Sequence, residues 1–184
     1  MKMRLTEISA VGIFSALAFA GGYLFIAVPN VEIFTAIVFL SGILLGSRKG
    51  MLVGLIAQTL YSILNPYGVA PLPLLVAQVT HRILVGYVGG RFQTMLNPES
   101  TAWVSTAYLG FTGLVLTLLF DFMTDASSFF ISGFSLEQMK VTFTLGLGWY
   151  VVHAIGNTLI FAIVLPVIIK GVKRVDQLRM ANLS

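Results

Sequence analysis

Residues 141–169 read VTFTLGLGWYVVHAIGNTLIFAIVLPVII, and no Asp, Glu, Lys or Arg interrupts the run. A helix crossing a bilayer needs about 20 such residues, so this stretch can span the hydrocarbon and still tilt or protrude. The rest of the chain is of the same kind. Of its 184 residues 57% are hydrophobic and only 10% charged, and the mean hydropathy is +0.93. A soluble domain carries about 25% charged residues. A chain this apolar cannot cover its surface with polar groups, so its solvent is lipid. The length allows about one domain, expected to be a single transmembrane domain over residues 1–184.

Apolar runs and their punctuation divide the chain into six expected spans. The first covers about Glu7–Val28 and ends at Pro29-Asn30. The second is Ile33–Gly46, followed by a tight turn at Ser47-Arg48-Lys49. The third is Gly50–Leu64, stopped by Asn65-Pro66-Tyr67-Gly68. The fourth is Leu72–Gly90, with a polar loop at Gln93–Ser100. The fifth is Ala102–Met123. Thr124–Lys140 is the longest polar stretch, and its Ser127–Phe134 part reads as a loop or short interfacial helix. The sixth is Val141–Ile169. Lys2, Arg4 and Ala18-Phe19-Ala20 imitate a cleaved signal peptide, but the apolar run continues to Val28, so a retained first span is expected.

Basic residues favour the cytoplasmic side. With six spans, Lys2, Arg4, Arg48, Lys49, Arg91, Lys170, Lys173, Arg174 and Arg179 share one side, and only Arg82 and Lys140 lie elsewhere. The fold class expected is therefore an all-α six-transmembrane-helix bundle with both termini cytoplasmic. The acids Glu32, Asp121, Asp125 and Glu137 then gather outside. The net charge of +4 is spread between spans and forms no nucleic-acid-binding patch. The chain has no cysteine, which excludes disulfides, thiolate metal sites and cysteine nucleophiles.

Small residues at every fourth position let helices approach closely in lipid. Gly12, Ala16 and Ala20 form such a face on span one, Gly42, Gly46, Gly50 and Gly54 another across spans two and three, and Gly86 and Gly90 pair on span four. Packing within the chain is the ordinary reading. For span one the alternative is a docking face for another membrane subunit.

The costly residues are the polar ones. Arg82 sits about ten residues into span four, where insertion costs roughly 2.5–3.5 kcal/mol. Gln78, His81 and Arg82 share one face of that span. Gln58, Tyr61 and Asn65 share a face of span three, and Trp149, His153 and Asn157 stack on span six. Asp121 and Asp125 lie one turn apart if span five stays helical. These faces can converge on one cavity in the outer half, roofed by Asn30–Glu32, Asn65–Pro71 and the loop after Asp125. Each residue also has a plainer reading: Arg82 paired with Asp121 or snorkelling, Gln58 and Asn157 as interhelical glue, His153 bonded to a neighbouring helix, Trp149 in an aromatic belt.

Catalysis finds little support. The two histidines lie on different spans without metal-ligand spacing, and no P-loop or nucleophile elbow occurs. Neither catalytic residues nor a metal site are expected. Six spans without an inverted repeat are few for a secondary transporter. A binding protein in the membrane remains.

The chain resembles the substrate-binding (S) components of energy-coupling-factor (ECF) transporters. That family carries an alanine-x-x-x-alanine motif on its first helix, matched here by Ala16 and Ala20, with Gly12 one turn earlier. The segments Pro29–Glu32, Asn65–Gly68 and Leu119–Asp125 look like those of members of uncertain vitamin specificity. The resemblance implies a six-helix protein of the cell membrane that captures a vitamin on the outer side, under the loop after helix one and between helices four to six. It implies partners too, a transmembrane coupling subunit that docks on the first-helix motif and two ATPase subunits that hydrolyse the ATP. Toppling of the S component in the bilayer is the transport model for the family. No cofactor of its own is implied, although the ligand can itself be a vitamin or cofactor.

The substrate-binding residues expected are Asn30, Glu32, Gln58, Tyr61, Asn65, Tyr67, Gln78, His81, Arg82, Asp121, Asp125, Trp149, His153 and Asn157. The residues leave the ligand open: Arg82 suits a carboxylate or phosphate, Trp149, Tyr61, Tyr67 and Phe129 suit a ring, and a histidine suits the cobalt of cobalamin, while thiamine-related or other ring-bearing vitamins and a lipid-like cofactor are equally open. Two rival readings stand beside this one. One is a small intramembrane enzyme using His81, His153 and Asp121. The other is a ligand-free assembly subunit, which a solid plug of side chains in place of the cavity would favour.

Overall fold

The computed structural model describes residues 3–28, 30–95 and 102–172. Lys2, Pro29, Lys173, Arg174, Arg179 and residues 96–101, which hold most of the loop expected at Gln93–Ser100, lie outside the described residues. Among the described residues there are six helices and no strand: α1 (Leu5–Leu24), α2 (Phe34–Leu45), α3 (Ser47–Ile63), α4 (Leu72–Met95), α5 (Ala102–Ser132) and α6 (Leu136–Leu159). A π-helical turn at Ile160–Val164 extends α6, and the helix continues to Val172. Helices α1, α4, α5 and α6 with its extension are long and apolar enough to cross a membrane.

Helix α2 is different in kind. Its 12 residues reach about 18 Å at 1.5 Å per residue, and nine of them are buried. A helix covered on every side reads as apolar on every side, which is why the sequence shows no face for it. It forms the centre of the bundle. Phe39 of α2 meets Phe92 of α4 at 5.6 Å and Phe161 of the π turn at 5.0 Å between ring centroids.

Several boundaries differ from the sequence reading: α1 stops at Leu24 rather than Val28, and α6 starts at Leu136 rather than Val141. Ser47, Arg48 and Lys49 are the first turn of α3 rather than a connecting turn. Gly46 alone makes the reversal, at φ +88°, a conformation open to glycine at little cost. Helix α4 continues through Met95, into the expected loop. Helix α5 runs on to Ser132 through the stretch expected as a loop. There Thr124, Ser127 and Ser128 each donate a hydroxyl hydrogen bond to a carbonyl one turn back, on Phe120, Thr124 and Asp125. Polar side chains satisfied in this way do not end a helix.

The π turn has a local cause. Pro166 has no N–H to give and its ring crowds the carbonyl one turn earlier. Just before it, Leu165 N–H bonds Ile160 O, five residues back, and the widened turn absorbs the mismatch. Gly113 of α5 makes room there: a Cβ on it would lie 2.6 Å from the Phe161 ring.

Glycines lock α2 and α3 onto α4. A Cβ on Gly42 would lie 2.7 Å from Gly90 N, and one on Gly50 would lie 2.6 Å from Gly86 O. Gly54 abuts the backbone of Arg82, so the same contact that packs α3 on α4 fixes where the Arg82 side chain starts. The face Gly12, Ala16 and Ala20 behaves in the opposite way. All three are exposed, and a Cβ on Gly12 would meet nothing within 4 Å. Helix α1 packs through Val11, Ser15, Ala18, Gly21 and Gly22 instead.

The two ends of the bundle are tied separately. At one end Lys49 of α3 pairs with Glu7 of α1 at 2.6 Å. At the other, the Tyr23 hydroxyl donates to Leu64 O, joining the end of α1 to the end of α3.

Candidate functional site

Arg82 is 4% exposed, and a buried guanidinium needs partners. Each of its three nitrogens finds one. Nε donates to Gln58 Oε1 at 3.1 Å, Nη1 to the Thr35 hydroxyl, and Nη2 to both carboxylate oxygens of Glu32 at 3.2 Å. The guanidinium carbon lies 4.8 Å from the Phe34 ring centre and 4.5 Å from that of Phe120, within reach of cation–π attraction. The sequence alternative of pairing with Asp121 is corrected: the counter-ion is Glu32, 50 residues away in the α1–α2 loop.

Glu32 gathers more than Arg82. The Thr35 hydroxyl donates to it, and His153 Nε2 stands 3.6 Å from its Oε1. Burial alone would raise the Glu32 carboxyl. The adjacent Arg82 charge, His153 and the Thr35 hydroxyl outweigh burial and hold it well below its ordinary range. On its other side His153 Nδ1 donates to Asp121 Oδ1 at 2.7 Å. One chain of contacts thus runs from Gln58 on α3 through Arg82 on α4, Glu32 in the loop and His153 on α6 to Asp121 on α5.

A second polar chain adjoins it. Gln58 Nε2 donates to the Ser62 hydroxyl at 2.8 Å, and that hydroxyl donates to Gln78 Oε1 at 2.8 Å. The Gln58 amide is therefore oriented by Ser62 on one side and by Arg82 on the other.

Glu32, Gln58, Gln78, Arg82 and His153 of these two chains line an inner cavity of about 270 Å³. Of the residues expected from sequence, Asn30, Glu32, Gln58, Tyr61, Asn65, Gln78, Arg82 and His153 line it. Beside it lies a more open outer chamber of about 690 Å³ that shares Asn30 and Phe120 and is lined by Asp121, Asp125 and Trp149. Trp149 is 52% exposed there, and Asp125 accepts the Tyr150 hydroxyl bond. His81, Asn157 and Tyr67 line neither chamber. His81 Nε2 donates to Leu116 O at 2.8 Å. Asn157 Nδ2 donates to the Thr117 hydroxyl at 3.0 Å, which places it in the α5–α6 contact. Tyr67 is exposed. The solid plug expected of a ligand-free subunit is not what fills this end of the bundle.

Sequence reasoning missed Thr35, Phe34 and Phe120. Thr35 opens an apolar helix one turn after Glu32, so its spacing from that acid was the available signal. Phe34 and Phe120 carry no polar tag that sets them apart from the other phenylalanines. No group of three or more His, Asp or Glu side chains able to hold a metal occurs among the described residues.

Two chambers, both lined by aromatic rings and hydrogen-bonding side chains, suit a ring-bearing ligand with a polar periphery. The sequence profile of the ECF-type riboflavin transporter S component matches residues 2–174. The vitamin of that family is riboflavin, a ring-bearing vitamin, which sets aside cobalamin among the candidates, and a transport component's family leaves no place for the intramembrane enzyme. No curated protein and no solved structure gives a match. The chain therefore belongs to the ECF-type riboflavin transporter S-component family, as a vitamin-binding transport subunit and a multi-pass protein of the plasma membrane.

Proposed function

We propose that this chain captures riboflavin from the outer side of the membrane and delivers it for ATP-driven uptake. The observation that carries the reading is the inner cavity in a chain of this family. Phe34, Phe120 and Tyr61 stand beside the amides of Gln58, Gln78 and Asn65. An isoalloxazine is a flat ring whose pyrimidine edge alternates hydrogen-bond donors and acceptors. Aromatic faces next to amide groups answer both features. With Arg82 already neutralised by Glu32, the cavity favours an uncharged ring over an anion.

In this reading all six helices form the membrane bundle, with both termini in the cytoplasm. The cavity end, opposite the Glu7–Lys49 pair, faces outward. The distribution of basic residues supports that orientation, and a thiol placed at position 48 should stay unlabelled by an impermeant reagent applied from outside. The Gly12–Ala16–Ala20 face docks on a transmembrane coupling subunit, which works with two ATPase subunits. Its support is that the face is exposed and free of side-chain bulk.

The test is quenching of flavin fluorescence on titration of the purified protein. Saturable binding of one riboflavin per chain is expected. An unquenched signal at flavin concentrations of tens of micromolar would overturn the proposal.

A further inference from the structure

Hydrogen-bond polarity on one wall of the inner cavity is set from Arg82. A guanidinium can only donate, so the Gln58 atom facing Arg82 Nε at 3.1 Å is the carbonyl oxygen. The far end of that amide is then Nε2, with two protons. One goes to the Ser62 hydroxyl at 2.8 Å and the other to Gln78 Oε1 at 3.3 Å. Having accepted from Gln58, the Ser62 hydroxyl gives its own proton to Gln78 Oε1 at 2.8 Å. Gln58 and Ser62 are buried, so the run is shielded from water and its direction matters more than it would at a surface. Both acceptor positions of Gln78 Oε1 are now filled, and turning that amide over would set its NH2 against the NH2 of Gln58. Gln78 lines the cavity, and Ser62 is not among the lining residues. What Gln78 keeps for a ligand is Nε2, a donor. Asn65, on the same wall, is left in the same state, because its Oδ1 accepts the Tyr67 N–H at 2.9 Å.

We infer that Gln78 is a specificity-determining residue that donates from Nε2 to a carbonyl oxygen on the pyrimidine edge of the ring, and that Ser62 is the positioning residue that fixes this polarity without touching the ligand. The inference rests on the flavin reading of the inner cavity and adds the direction in which recognition runs. A ligand carbonyl at Gln78 completes the amide. A ligand N–H in the same place sets two donors against each other with neither satisfied, which costs more than a missing bond. Arg82 thereby governs recognition at a distance. Its nitrogens are committed to Gln58, Thr35 and Glu32, yet its charge decides through Gln58 and Ser62 which end of Gln78 the ligand meets.

The test titrates the purified full chain calorimetrically with riboflavin, 2-thioriboflavin and 4-thioriboflavin. Each analogue replaces one pyrimidine carbonyl oxygen by sulfur, a weak acceptor. At least one of them should bind the wild type about five- to tenfold more weakly than riboflavin. In Gln78→Met, riboflavin should weaken by a similar factor and the gap to that analogue should close to within about twofold. Ser62→Ala should narrow the same gap from outside the cavity, which loss of packing alone would not do. Equal wild-type affinities for riboflavin and both analogues would overturn the donor assignment, with no variant needed, and leave the flavin reading standing. A gap that persists in Gln78→Met would also overturn it, since the sulfur is then refused for its size or by another residue. A full gap in Ser62→Ala would overturn the positioning role. A wild type that binds no flavin would overturn both this inference and the flavin reading.

Discussion

Removing the Glu32 side chain isolates the Arg82 charge. In Glu32→Ala, Arg82 keeps Thr35, Gln58 and two aromatic rings but loses its counter-ion. Breaking a buried ion pair from one side costs about 3–5 kcal/mol. Glu32 keeps 15% of its side chain exposed and borders a cavity, so the lower end, about 3 kcal/mol, applies. For a chain of this size each kcal/mol moves the unfolding midpoint by about 2–4 °C, which gives a fall of roughly 6–12 °C in detergent. Arg82→Met should destabilise similarly, because it leaves the Glu32 carboxylate with only the Thr35 hydroxyl and His153 in place of the guanidinium. The double variant Glu32→Ala/Arg82→Met removes both charges. It should recover most of the loss, since apolar replacement of a buried pair is often close to neutral. The assay is a thermal-unfolding cycle over the four proteins. A coupling energy of about 2 kcal/mol or more is expected. Single effects that simply add, to within about 0.5 kcal/mol, would refute the reasoning that this pair holds the α1–α2 loop onto α4.

Other perturbations probe other links. Gly86→Ala places a Cβ against the Gly50 backbone and should cost about 1–3 kcal/mol through overpacking, read as a lower unfolding midpoint; an unchanged midpoint would mean that α3 and α4 slide apart freely. Ala16→Leu adds bulk to an exposed face of α1, so folding and flavin binding should persist while co-purification with the coupling subunit is lost; undiminished complex formation would move the docking face elsewhere. His153→Ala and Asn157→Ala should separate, because only His153 lines the inner cavity. The first should weaken flavin binding by about five- to 150-fold, and the second should lower the unfolding midpoint with binding changed only a few-fold. Equal binding losses in a calorimetric titration would contradict that division.

Much of the architecture is legible in the sequence because lipid imposes it. A charge-free run such as 141–169 has one use, and Gly42, Gly50, Gly86 and Gly90 mark helix contacts that no larger side chain would allow. The ends of helices are less legible. Thr124, Ser127 and Ser128 look like loop residues until their hydroxyls are seen to bond the helix's own backbone. The site is legible in its demands and not in its pairings. Arg82 announces that a buried cation needs an acid, yet Glu32 and Asp121 are equally available on paper. The packing of Gly54 on the Arg82 backbone and the loop after α1 decide for Glu32, and Asp121 goes to His153. The same packing separates residues that periodicity had grouped. His81 shares a face with Gln78 and Arg82 by spacing, but turns to Leu116 on α5.

The central claim is that the cavity around the Arg82–Glu32 pair holds a flavin. Its most direct test is to purify the chain from riboflavin-replete cells, denature it, and identify what is released by mass spectrometry and absorbance. The account predicts an isoalloxazine at close to one molecule per chain in the wild type, and less in His153→Ala. A different compound at stoichiometric amounts, or a wild type that carries no flavin and takes none up on addition, would contradict it.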